Sequence, residues 1–103
     1  MQDLYFVKVK FYSNSIRKEL PCIDSNRGRY SPHFVIDGDI EYLGVTFVDG
    51  NISLFDMETD AIVVAPYDGV GYHKLVKGVK FLIKEGPHTV GEGIVEDIYK
   101  DAL

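Results

Sequence analysis

A chain of 103 residues, 46% hydrophobic and 26% charged, has the size and content of one globular domain rather than a disordered segment. Its 16 acidic and 11 basic residues give a formal charge of −5, which disfavours long-range attraction to phosphate backbones and a general nucleic-acid role. With a single Cys22 there is no disulfide framework, and with neither a charged-then-apolar leader nor a long apolar run the expectation is no membrane association and a reducing, cytoplasmic setting.

The first expected strand is Leu4 to Tyr12, where Tyr5, Val7, Val9 and Phe11 share one face and Lys8 and Lys10 the other. From Ser13 to Tyr30 the alternation dissolves, although Ile16, Leu20 and Ile23 could cover the end of a sheet, with one helical turn stopped by Pro21. Arg17, Lys18, Arg27 and Arg29 gather here with Tyr30, a basic island that fits either a solvated loop or a binding surface. Ser31 to Ile36 and Ile40 to Val48 flank Asp37-Gly38-Asp39, a hairpin signal, and Leu43, Val45 and Phe47 alternate with polar or small neighbours. Asp49-Gly50-Asn51 is a second such signal and predicts a short edge strand at Ile52 to Phe55. Ala61 to Tyr67 is an apolar run suited to a buried strand, stopped by Pro66 and Asp68-Gly69. Val79 to Ile98 then reads as a closing hairpin around Glu85-Gly86-Pro87-His88. In it Gly91 and Gly93 mark a bulge, a sharp bend or a close backbone approach. No window supports a long amphipathic helix, so the residues predict an all-β barrel or sandwich of roughly six or seven strands.

Few patterns carry chemistry. Gly69-Val70-Gly71-Tyr72-His73-Lys74 lacks the third glycine and the helix of a nucleotide loop and reads as a turn. Asp37-Gly38-Asp39-Ile40-Glu41 places carboxylates alternately, but Tyr42 and Val48 stand where a calcium loop needs Gly and Glu, leaving a solvated hairpin tip. His33, His73 and His88 are far apart, and Cys22 has no evident histidine partner, so neither a metal site nor a nucleophile is expected.

The stretch Val79-Lys80-Phe81-Leu82-Ile83-Lys84-Glu85-Gly86-Pro87-His88-Thr89-Val90-Gly91-Glu92-Gly93-Ile94-Val95 resembles the closing hairpin of the C-terminal β-barrel, domain 3, of elongation factor Tu. That family reads aromatic-apolar-apolar-basic-Glu-Gly, then Thr-Val-Gly-x-Gly-apolar-Val. Upstream, Gly28-Arg29-Tyr30-Ser31-Pro32-His33-Phe34 resembles its Gly-Arg-His-Thr-Pro-Phe-Phe, so the likeness spans about Leu4 to Ile98 of a single domain, 1–103. The resemblance implies a closed, antiparallel, Greek-key barrel of six to seven strands, standing alone, without catalytic role, cofactor, nucleotide or metal. It implies a protein partner, or alternatively a tRNA stem met by Arg29, Tyr30, Thr89 and Gly91. Tyr30 replaces the family's His, His88 replaces a basic residue, and Glu92 sets a carboxylate between the glycines. A carboxylate beside a phosphate is unfavourable, which ranks the protein partner first. A small enzyme built on one of the histidines is a distant third reading.

Overall fold

A computed structural model describes residues 2–23, 29–67 and 71–101. Within them lie seven strands, β1 (Leu4–Phe11), β2 (His33–Ile36), β3 (Leu43–Gly44), β4 (Thr46–Gly50), β5 (Thr59–Val64), β6 (Lys80–Glu85) and β7 (His88–Tyr99), and a 3₁₀ turn at Tyr72–Lys74. All pairings are antiparallel, in the order β3-β2-β6-β7-β1-β5-β4, and the sheet curls into a half-barrel. Arg27 and Gly28 of the basic loop, and Asp68-Gly69 after β5, lie outside the described residues.

The two-residue period explains the inner face. Tyr5, Val7, Val9 and Phe11 of β1 are buried against Leu43, Val45, Phe47, Val63, Phe81, Ile83, Val90 and Val95. Phe34 and Phe81 stack with centroids 3.9 Å apart, and Phe47 meets Phe34 edge-on at 6.0 Å. Each such side chain contributes roughly 1.5–3 kcal/mol by leaving water, so the inner face is what holds the strands together.

Curvature comes from three register shifts, each leaving one residue unpaired: Val48 in β4, Val90 and Glu96 in β7. A bulge bends its strand and increases the local twist. The glycines of β7 serve close approach. A Cβ on Gly91 would sit 2.5 Å from the Lys10 carbonyl oxygen, and one on Gly93 would sit 2.5 Å from the Phe81 ring and 2.7 Å from the Lys8 carbonyl oxygen. Glu85 pairs with His88 across Gly86-Pro87, and Gly86 has φ 58°. Proline fixes a negative φ at the second corner, so this is a type II′ turn, which matches the strand twist.

Only Val45 separates β3 from β4, the two outermost strands of the sheet. The Val45 N–H donates to Pro32 O at 3.0 Å and the Phe47 N–H to Tyr30 O at 2.9 Å, while Thr46 and Phe47 pair with Val64 and Val63 of β5. The stretch 43–50 thus has backbone partners on both sides.

The expected edge strand at Ile52–Phe55 does not form. Ile52 and Phe55 both pack on the core while Leu54 is exposed, a three-residue spacing that an irregular loop satisfies and a strand does not. The partner of β4 is instead β5, which starts at Thr59 and ends at Val64, before Pro66. The Asp56 N–H donates to Phe11 O at 2.7 Å and its carboxylate accepts from the Ser13 N–H at 3.1 Å, pinning the intervening loop.

Candidate functional site

Polar side chains concentrate at the two ends of β6. At the Glu85 end, Tyr30 leads toward β2 and lays its ring against Phe47 and Phe11, at 5.3 and 6.0 Å. Its hydroxyl donates to Glu85 Oε2 at 2.5 Å, the oxygen that Arg17 Nη1 also reaches at 2.5 Å, and the Arg17 guanidinium lies 5.2 Å from the Tyr30 ring centre. Burial, and then the Glu85 carboxylate, push the Tyr30 phenol far above its ordinary value. Arg17 also donates to the Glu19 carbonyl at 2.9 Å, so part of the basic island ties the loop 12–23 to the sheet.

Of the four residues marked by the resemblance, Arg29 is exposed and Thr89 half-buried opposite Lys84. Tyr30 points inward as above, and Gly91 is buried against β1. Glu92 is exposed and accepts from the Tyr12 hydroxyl at 2.6 Å; burial and this carboxylate push Tyr12 up to about 12. The histidines do not converge on one element: His33 is on β2, His73 in the 3₁₀ turn and His88 at the hairpin corner. Among the described residues no group of three or more His, Cys, Asp or Glu could hold a metal ion, and Cys22 is exposed.

At the Lys80 end, the loop 37–42 leaving β2 meets the loop 71–79 entering β6. Lys74 Nζ lies 3.0 Å from Asp39 Oδ2 and 2.9 Å from Glu41 Oε1. Glu41 Oε2 accepts the Gly71 N–H at 3.3 Å, and Asp39 Oδ1 accepts the N–H of Ile40 at 2.6 Å and of Glu41 at 3.2 Å. The Tyr72 hydroxyl donates to the Gly44 carbonyl. Hydrogen bonds from Lys74 hold both carboxyls below their ordinary values, and the two carboxylates in turn raise Lys74. Ion pairs this exposed add little stability, so their consequence is geometric.

What they fix in place is Ile40, 91% exposed between the two committed acids. Tyr42, Tyr67 and Val76 are also exposed here, with Tyr67 against Gly44 and Tyr42 5.6 Å from His33. Ile40 and Tyr42 are thus exposed on the loop held by Lys74, with Tyr67 and Val76 exposed on the segments that follow β5 and precede β6. The reading of Asp37–Glu41 as a solvated hairpin tip agrees with β2 pairing to β3 around it and with Asp37, Gly38 and Ile40 being exposed, but it gave Ile40 no role.

No family model matches the chain, and no solved structure matches it.

Proposed function

We propose that this chain is a non-catalytic β-barrel that binds another protein through the surface around Ile40. The observation that carries the reading is an isoleucine almost wholly in water on a loop held by Lys74, Asp39, Glu41 and Gly71. A large apolar side chain fixed in solvent gains only when a partner covers it, and tyrosines beside it are the side chains that anchor interfaces at low entropic cost.

The barrel is read as closed and Greek-key. In support, β3, Val45 and β4 form one stretch that bonds to Tyr30 and Pro32 on one side and β5 on the other. Counting that stretch as one strand, the order β6-β2-β3/β4-β5 has the 4-1-2-3 arrangement of a Greek key. This agrees with the resemblance to domain 3 of elongation factor Tu, as do the close-approach glycines of β7. The tRNA-stem alternative has less behind it, because Arg17 and Tyr30 engage Glu85, and Glu92 stands between the glycines. Co-purification before and after nuclease treatment separates the two. The expected result is a bound protein that survives nuclease; a bound species consisting only of RNA would overturn the reading.

A further inference from the structure

A second surface lies on the outer face of the sheet, away from the loop of Ile40. There a groove of about 560 Å³ has Phe6 of β1 and Ile62 of β5 among its apolar lining, and these two pair across the strands. The groove is open to solvent along its length, which suits an extended segment laid across the strands rather than an enclosed small molecule. Phe6 also meets the exposed Tyr99 ring edge-on at 4.8 Å.

Around this apolar lining stand Asp49, Asp60 and Glu96. Lys8 lies 3.5 Å from Glu96 and 4.0 Å from Asp60, so one ammonium pairs with two of the three carboxylates, while Asp49 accepts from the Gly50 N–H at 2.8 Å. The shape is built by the sheet. Two of its bulges, Val48 in β4 and Glu96 in β7, lie on either side of β5 and β1, and the second delivers the Glu96 carboxylate to the groove.

We infer that this groove docks an extended segment of a partner protein in which an apolar side chain is flanked by lysine or arginine. The apolar side chain rests on Phe6 and Ile62, and the flanking cations meet the three carboxylates. Charge complementarity selects the occupant: Lys8 offsets only one of the three negative charges, so a basic segment meets a net negative groove and an acidic one meets like charge. The inference stands independently of the Ile40 surface.

The test is titration of the whole protein with the synthetic peptides Lys-Leu-Lys-Leu-Lys and Glu-Leu-Glu-Leu-Glu, followed by backbone amide shifts. The lysine peptide should give saturable shifts at Phe6, Asp49, Asp60, Ile62 and Glu96, weakening as salt is raised. Asp60→Lys, at a side chain 86% exposed, should weaken it by about tenfold, with Asp49→Lys as the second variant, and Lys77→Ala, at an exposed residue of the 71–79 loop, should leave it unchanged. Equal binding of the glutamate peptide, shifts centred on Asp39 to Tyr42, or no saturation at millimolar peptide would each overturn the inference, and only the second would speak for the Ile40 surface.

Discussion

Gly93 shows how a single position sets the shape of the sheet. Its missing side chain lets the Phe81 ring and the Lys8 carbonyl come within 2.7 Å of where a Cβ would be, so Gly93→Val should cost about 1–3 kcal/mol through overpacking, read as a lowered midpoint in urea. Tyr30 ties together more distant parts of the chain. Tyr30→Phe removes a hydrogen bond to a charged acceptor and should cost about 1.5–3 kcal/mol at neutral pH. The loss should shrink in alkali. Tyr12 and Tyr30 both have phenols raised in the folded state, so the fold holds protons that the unfolded chain releases near pH 10. Stability is therefore fully present below 10 and declines as pH rises through about 12, the value for Tyr12. Above pH 10 the wild type carries the penalty of keeping Tyr30 un-ionised and the variant does not. Urea titrations at neutral and alkaline pH measure the difference directly.

At the scale of elements, the two loops at the Lys80 end act as one unit because Lys74 joins them. Lys74→Ala should leave the thermal midpoint nearly unchanged, since exposed ion pairs contribute little, yet should increase backbone motion at Ile40 and Glu41 in NMR relaxation. Acid should mimic it. Asp39 and Glu41 have lowered pKa values, so the restraint is intact above the ordinary values of 3.8 and 4.5 and is lost as pH falls below them. These contacts also mark the limit of sequence reading. β1 and the β6–β7 hairpin were legible because alternation and the Gly-Pro corner are local. Ile52–Phe55 misled because a hairpin signal next to apolar residues does not reveal which later segment pairs with it. Nothing near Lys74 in the chain indicates that it meets carboxylates 33 and 35 residues away. The same holds for Tyr30 and Glu85, whose meeting depends on the sheet being formed.

For the whole molecule, the proposed closure of the barrel turns on the stretch 43–50. If 43–50 joins the two sides of the sheet, the amides of Val45 and Phe47, bonded to Pro32 and Tyr30, should exchange with solvent as slowly as those of Val7 and Val9. Fast exchange at Val45 and Phe47 alone would mean an open sheet. The all-β class was readable from alternation and turn spacing. The bonds donated by the Val45 and Phe47 amides were not, because their acceptors are the backbone carbonyls of Pro32 and Tyr30 in a stretch with no strand pattern. The central claim is that the fixed isoleucine is where a partner protein binds. It is tested most directly by measuring the affinity of the co-purified partner for the wild-type chain and for Ile40→Asp, with Arg29→Ala as control. At a central anchor the loss should be at least about 2 kcal/mol, roughly thirtyfold, with an unchanged thermal midpoint and no effect of Arg29→Ala. Equal affinity of wild type and Ile40→Asp, or loss on Arg29→Ala instead, would contradict it.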